Sequence, residues 1–244
     1  MKGVILAGGL GTRLHPLTRI TNKHLLPVYD KPMIYYPIRT LVNAGIKDIM
    51  IVTGGAYAGE FLRLVRDGRE FGLHGVEYAY QEGEGGIADA LRLAERFVGD
   101  DRLLVILGDN IVGRSIRKPV EAFRRQKRGA RLLLKAVDDP QHYGCPDIQR
   151  GKIVAIHEKP KKPRSRYAVT GIYLYDSSVF RVVRHLKPSA RGELEITDVN
   201  NAYVRRGWMA YDVLDGWWGD AGESIEAYLR VGRMVAEYGA NKAS

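Results

Sequence analysis

The run Gly8-Gly9-Leu10-Gly11-Thr12-Arg13 places three glycines and a guanidinium directly behind a short apolar segment, Val4-Ile5-Leu6-Ala7. Glycine lets backbone N–H groups approach an anion closely, and a guanidinium holds phosphate oxygens two at a time. Together they point to phosphate binding. Two common phosphate loops do not fit. A Walker loop needs Gly-Lys-Ser/Thr where this chain has Gly11-Thr12-Arg13. A dinucleotide fingerprint needs a third glycine, a helix and an acidic residue ending the next strand. Asp30 stands at a suitable distance, but Pro16, Pro27 and Pro32 break up the helix and strand that this would require.

Two further side chains follow apolar runs in the same way. Asp109 comes just after Leu103-Leu104-Val105-Ile106-Leu107, so its carboxylate should emerge where a parallel sheet binds ligands. A hard oxygen donor there suits Mg²⁺. Gln81 ends the run Val76–Tyr80, and its carboxamide offers both a donor and an acceptor to the edge of a pyrimidine.

These residues need a scaffold that brings strand ends together. Apolar runs at Val4–Ala7, Asp48–Val52, Val76–Tyr80 and Leu103–Leu107 alternate with helical spacing at Ile34–Ala44, Ala58–Arg66 and Ile87–Phe97. That order predicts a doubly wound α/β sheet with helices on both faces. Beyond residue 130 the regularity loosens. Arg131–Val137, Ile153–His157 and Val169–Tyr175 are strand-like, and Ile196–Arg206 and Ser224–Tyr238 are helical. The last helix is expected to pack through Ile225, Tyr228, Leu229, Val235 and Tyr238. Pro146 cannot donate to a ladder, so its neighbourhood is predicted to be an edge or a bend, with Cys145 as a small buried residue.

Several motifs occur in order along the chain: Gly8-Gly9-Leu10-Gly11-Thr12-Arg13-Leu14, Lys23-His24-Leu25-Leu26-Pro27, Leu107-Gly108-Asp109-Asn110, Glu158-Lys159-Pro160 and Val169-Thr170-Gly171. Together they resemble the signature of the sugar-phosphate nucleotidyltransferases. Tyr29-Asp30-Lys31-Pro32-Met33-Ile34-Tyr35-Tyr36-Pro37 and Lys187-Pro188-Ser189-Ala190-Arg191-Gly192-Glu193 are similar to the glucose-1-phosphate thymidylyltransferases of that family. The resemblance covers nearly the whole chain. It implies a Rossmann-like mixed sheet of the nucleotide-diphospho-sugar transferase type, in one domain over 1–244. The nucleotide-binding half would be about 1–130 and the sugar-phosphate half about 131–244.

The resemblance also implies the chemistry. A sugar-1-phosphate, most simply glucose-1-phosphate, would attack a nucleoside triphosphate, dTTP or with a close alternative UTP, and release pyrophosphate. Arg13, Lys23, Asp109 and Lys159 would carry the reaction. Leu6, Gly8, Gly9, Gly11, Thr12, Arg13 and Asp109 would hold the nucleotide, with Gln81 and the Gly86 backbone reading the base. Gly144, Glu158, Lys159, Val169 and Arg191 would hold the sugar phosphate. Asp109 and Asp220 would share Mg²⁺. Three departures from the pattern stand out: Asp89 replaces a usual glutamine, Glu223 replaces a small polar residue, and Cys145-Pro146 replaces an apolar strand. The resemblance implies a homo-oligomer. Longer members build a regulatory nucleotide site from further C-terminal helices, whereas this chain stops at Ser244, which leaves no expectation of feedback control through such a site.

Composition narrows the choice of partners. A single cysteine excludes an internal disulfide and a cysteine-based zinc site. The net charge of +10 suits a polyphosphate, a nucleic acid or an acidic membrane. No nucleic-acid-binding signature accompanies it, and no apolar run approaches the ~18 residues of a membrane span. The strand-like start at Met1, without a basic leader, predicts an unprocessed cytoplasmic chain. A regulatory paralogue that binds nucleotide sugars without turnover is the non-enzyme alternative, and the intact Arg13, Lys23, Asp109 and Lys159 argue against it.

Overall fold

The computed structural model describes residues 1–243. The strands in chain order are β1 (Lys2–Ala7), β2 (Pro27–Val28), β3 (Lys31–Pro32), β4 (Asp48–Gly54), β5 (Gly75–Gln81), β6 (Leu103–Leu107), β7 (Asn110–Val112), β8 (Ala130–Ala136), β9 (Gly144–Gln149), β10 (Lys152–Glu158), β11 (Tyr167–Tyr175), β12 (Met209–Val213) and β13 (Trp218–Asp220). The helices are α1 (Tyr35–Asn43), α2 (Ala58–Val65), α3 (Ile87–Arg92), α4 (Glu95–Val98), α5 (Arg117–Arg125), α6 (Ser178–Arg184), α7 (Ile196–Arg205) and α8 (Ile225–Tyr238).

Seven strands form one sheet in the order β12-β8-β11-β6-β1-β4-β5. The block β6-β1-β4-β5 is parallel. β11 runs antiparallel to both of its neighbours, which makes the sheet mixed. Because β11 lies between β6 and β8, the segments on either side of residue 130 share this sheet.

β1 shows why the central strands lack alternation. Val4 and Leu6 face a core that includes Leu91, Val98, Phe180 and Tyr203. Ile5 and Ala7 face a second core that includes Ile38, Leu41, Phe61 and Phe123. A strand covered on both sides must be apolar at every position. Burying each such aliphatic side chain contributes about 1.5–3 kcal/mol. Ile5, which has no exposed surface, should cost about 2–5 kcal/mol if cut back to alanine.

Some elements differ from the sequence reading. Ile87–Phe97 is two short helices. The break is closed by Leu93 N–H to Ala90 O (3.2 Å) and Ala94 N–H to Leu91 O (3.0 Å), which keeps Leu91, Ala94 and Val98 in one core. α8 packs through Ala227, Val231 and Val235, while Leu229 and Tyr238 are half exposed. Its buried stripe therefore follows small and β-branched residues at a spacing of four. Ser224 caps α8 by accepting from Ala227 N–H at 3.1 Å, a task that Asp220 is free of. Pro146 lies in β9, which pairs only with β10, and Cys145 is buried. Among the described residues no helix is long and apolar enough to cross a membrane.

Candidate active site

The chain leaves β1 into the glycine loop and leaves β6 into Gly108-Asp109. β1 lies between β4 and β6, so the strand order reverses beside it. A crevice must open beyond the carboxyl ends of β1 and β6, and ligands of such sheets sit there. A cleft of about 340 Å³ occupies this position.

One side of the cleft is bordered by Leu6, Gly8, Gly9, Arg13, Gln81 and Gly86. Arg13 is exposed, and its guanidinium has no ion pair or hydrogen bond among the described residues. Gly11 and Thr12 stand off the cleft wall. Gly11 has φ 65°, and its carbonyl accepts from Leu14 N–H (2.9 Å) and the Thr18 hydroxyl (2.8 Å), so it shapes the turn that delivers Arg13.

Lys23, Asp109 and Asp220 meet at the centre. Lys23 Nζ lies 2.5 Å from Asp109 Oδ2. Asp220 arrives on β13, whose register sets it opposite Asn110 on β7. Ala221 N–H then bonds Asp109 O at 2.9 Å, and Asp220 accepts from Gly222 N–H at 2.8 Å. A methyl group on Gly222 would overlap Asp109 Oδ2 and stand 2.8 Å from Lys23 Nζ, so only glycine fits at this crossing. Burial alone would push the Asp109 carboxyl up, but the Lys23 ammonium, assisted by His24 and Asn110, holds it well below the usual carboxylate range. Asp220 has no ion pair among the described residues. Burial, and then the charge of Asp109, push its carboxyl well above that range.

The opposite side is bordered by Gly144, Glu158, Lys159, Val169 and Arg191. Gly144 pairs with Glu158 across the β9–β10 ladder. Glu158 is oriented by the Thr197 hydroxyl, which donates to Oε2 at 2.7 Å. Lys159 is exposed, has φ 42° and has no ion pair among the described residues. Its N–H bonds Tyr143 O at 3.1 Å, which helps hold this left-handed backbone. Arg191 is engaged differently: its guanidinium bonds both oxygens of Glu195 at 2.9 and 3.0 Å and lies 3.4 Å from Glu193. Of the two cations on this wall, Lys159 is the one available to an incoming anion.

The supporting residues were less visible in the sequence. Asn110 Nδ2 donates to Asp109 Oδ1 at 3.1 Å, while its Oδ1 accepts from Gly171 N–H and Trp218 Nε1, each at 2.8 Å. It thus ties β7, β11 and β13 together beside the carboxylate pair. His24 sits 3.9 Å from Asp109, and its Nδ1 bonds Asn22 Oδ1 at 2.8 Å. Burial, and then Lys23, lower the imidazole to about 3, so it is neutral and packs against Gly108. Asn110 and His24 both lie inside quoted motifs, and a polar residue beside a motif carboxylate was the available signal. Glu223 accepts from the Tyr143 hydroxyl at 2.7 Å, which fastens the β13–α8 turn to the sugar-side wall.

Among the described residues no cluster of three or more His, Cys, Asp or Glu is arranged to hold a metal. The buried Asp109 and the partly buried Asp220, which repel one another at the centre of the cleft, nonetheless form an oxygen donor set suited to a hard divalent cation. Mg²⁺ commonly uses one or two protein carboxylates and takes its remaining ligands from water and substrate phosphates.

Residues 2–237 match the nucleotidyl transferase family model, and the chain belongs to that family. It is 46% identical over 215 residues to the glucose-1-phosphate thymidylyltransferase of Actinoplanes sp., spanning 88% of this chain and 71% of that protein. It is 44% identical over 216 residues to the enzyme of the same name from Mycobacterium tuberculosis, spanning 88% and 74%. A Bacillus anthracis crystal structure in complex with sucrose, of a protein provisionally assigned as a glucose-1-phosphate thymidylyltransferase, superposes with TM-score 0.93 at 51% identity over the full length of both chains. A UDP-glucose pyrophosphorylase bound to UDP-glucose shares the fold, with TM-score 0.82 at 23% identity over 97% of this chain and 98% of that one.

Proposed function

We propose that this protein transfers a thymidylyl group from dTTP to glucose-1-phosphate, releasing pyrophosphate and forming dTDP-glucose. The observation that carries the reading is the Lys23–Asp109 pair, set between a glycine loop bearing an unpaired Arg13 and a wall bearing an unpaired Lys159. Two anionic substrates would enter from opposite sides and meet at one ammonium. The names of the relatives supply the two substrates.

The reaction is an in-line displacement at the α-phosphorus. An oxygen of the sugar phosphate forms the new P–O bond, and the bond to the β-phosphate breaks. Such a reaction needs positioning and charge neutralisation, with no covalent nucleophile from the protein. Arg13 would hold the triphosphate and the departing pyrophosphate, with the loop N–H groups around it. Lys23 would sit between the attacking and attacked phosphates, turning from Asp109 toward them. Lys159 would fix the sugar phosphate, and Glu158, already oriented by Thr197, would accept from sugar hydroxyls. Arg191 can join only by giving up Glu195. Asp109 and Asp220 would hold Mg²⁺, which when bound supplies charge neutralisation at the triphosphate.

Gln81 Oε1 faces the cleft beside Gly8, and Gly86 N–H makes no hydrogen bond among the described residues. An acceptor beside a donor suits N3–H and a ring carbonyl, a pair that thymine and uracil share. The 5-methyl group is the difference that remains, worth ~10–200-fold at most in an apolar pocket. The same reading makes 1–130 the nucleotide side and 131–244 the sugar side of a cytoplasmic homo-oligomer, with neither nucleic acid nor membrane as partner.

The test is pyrophosphate release with Mg²⁺, glucose-1-phosphate and each nucleoside triphosphate in turn. Fastest release with dTTP supports the assignment, and fastest release with UTP moves it to the uridylyl reaction. No release with any triphosphate would remove the enzymatic reading.

A further inference from the structure

Gln81 closes the end of β5 and is almost fully buried, at 7% exposure. Its carboxamide nitrogen makes two hydrogen bonds, to Gly86 O at 3.2 Å and to Asp89 Oδ2 at 3.0 Å. A backbone carbonyl and a carboxylate both accept, so only the NH₂ end of the amide can face them. Rotating the amide by half a turn would set Oε1 against a carbonyl and a carboxylate at once. The amide is therefore held in one orientation, with Oε1 directed at the cleft. A methyl group on Gly8 would stand 2.9 Å from that oxygen.

Asp89 is itself held in place. Its other oxygen accepts from Arg92 Nη2 at 2.9 Å, one turn along α3. Gly85 lies over its carboxylate so closely that a Cβ there would stand 2.6 Å from Asp89 Oδ2. Gly86 O also accepts from Ala90 N–H at 3.1 Å, so the carbonyl that shares the Gln81 nitrogen cannot readily turn away. The chain Arg92–Asp89–Gln81 thus runs from the helix surface to the base-reading edge of the cleft.

We propose that Asp89 is a specificity-determining positioning residue: it fixes the Gln81 amide as an acceptor and so makes the site select bases with a ring N–H over cytosine. Cytosine has a lone pair at N3 and an amino group at C4, and would meet Oε1 with a second acceptor. Asparagine at position 89 can offer an N–H to Gln81 and admit the rotated amide. Leucine removes the acceptor but offers no donor, and leaves Gly86 O to hold the orientation. This rests on the nucleotidyl-transfer reading above.

The experiment uses dUTP and dCTP, which differ only at the N3–C4 edge, with glucose-1-phosphate and Mg²⁺. It compares kcat/KM for both nucleotides in the unsubstituted protein, Asp89→Asn and Asp89→Leu. The unsubstituted protein should prefer dUTP. Asp89→Asn should lower that preference by about tenfold, the worth of one hydrogen bond, mostly by improving dCTP, with kcat for dUTP little changed. Asp89→Leu should lower it less. A structural defect would slow both nucleotides together and leave the ratio fixed. An unchanged ratio in active variants, or an equal loss in both variants, overturns the role of Asp89 alone. No turnover by the unsubstituted protein with any triphosphate overturns the functional reading, and this inference with it.

Discussion

Lys23 Nζ and Asp109 Oδ2 lie 2.5 Å apart in a pocket where Asp109 is only 5% exposed. Each carries a charge that the cleft needs for different partners, one anionic and one cationic. The two side chains neutralise one another, which offsets the cost of burying each charge. Removing one partner leaves the other buried without compensation. Lys23→Met should therefore lower stability by about 3 kcal/mol and abolish turnover, whereas Asp109→Asn leaves a Lys23 ammonium that is less buried and still feels the Asp220 carboxylate, and should lose turnover at a smaller cost in stability. Urea unfolding of the two variants checks the order, and equal losses would contradict it.

Arg13 is the opposite case. It is exposed and has no ion pair among the described residues, so Arg13→Ala should leave the unfolding free energy within about 0.5 kcal/mol of the parent. Turnover should fall by about 10²–10³-fold, the usual loss when one transition-state charge contact is removed. Steady-state pyrophosphate release alongside a melting curve measures both. Near-normal turnover would remove Arg13 from the mechanism.

The two cations of the sugar wall should separate. The Lys159 ammonium has no ion pair among the described residues, whereas Arg191 is held by Glu195 and Glu193. Lys159→Ala should raise KM for glucose-1-phosphate by at least tenfold, and Arg191→Ala should raise it by less. A larger effect at Arg191 would mean that the Glu195 pairing is broken when substrate binds.

His24 gives a pH dependence of stability. Burial, and then Lys23, lower its pKa from 6.5 to about 3 in the folded chain, so between those values the unfolded chain binds the extra proton. Stability must then fall as pH falls below 6.5, by about 2 kcal/mol at pH 5 from this residue alone. A cation bound at Asp109 would lower the imidazole pKa further and keep the sign. Asp220, held above the carboxylate range, binds its proton in the folded chain over the same window and opposes this slope, so the His24 contribution is read as a difference between two proteins. In urea unfolding after chelator treatment, His24→Gln should gain stability relative to the parent as pH falls from 7 to 5, and a difference that does not change with pH would contradict the role of His24.

Much of this architecture was legible because the central strands are apolar at every position and the motifs sit at their ends. The segments that escaped notice have weaker signals for physical reasons. β7 and β13 are three residues each and are defined by a pairing across more than a hundred residues, between Asn110 and Asp220 at one end. α5 carries Val120 and Phe123 as its buried contacts among many charges. On α8, Tyr228 and Val235 pack on the core as expected, whereas Leu229 and Tyr238, which look like core residues, stay half exposed and Ala227 and Val231 are buried in their place. At the site, residue types announced Arg13, Asp109 and Lys159. The sequence could not show that Arg191 already holds Glu195, or that Asn110 bridges three strands, because both depend on tertiary contacts.

The most direct test of the central claim follows the α-phosphorus itself. Protein, Mg²⁺ and glucose-1-phosphate would be incubated with dTTP labelled at the α-phosphate, and the label traced by chromatography. The account requires the label to pass into a sugar-linked dTDP product in step with pyrophosphate release, and to vanish from that product in Asp109→Asn. Label that remains in dTTP, appears as dTMP, or becomes attached to the protein would contradict a direct transfer between two bound substrates.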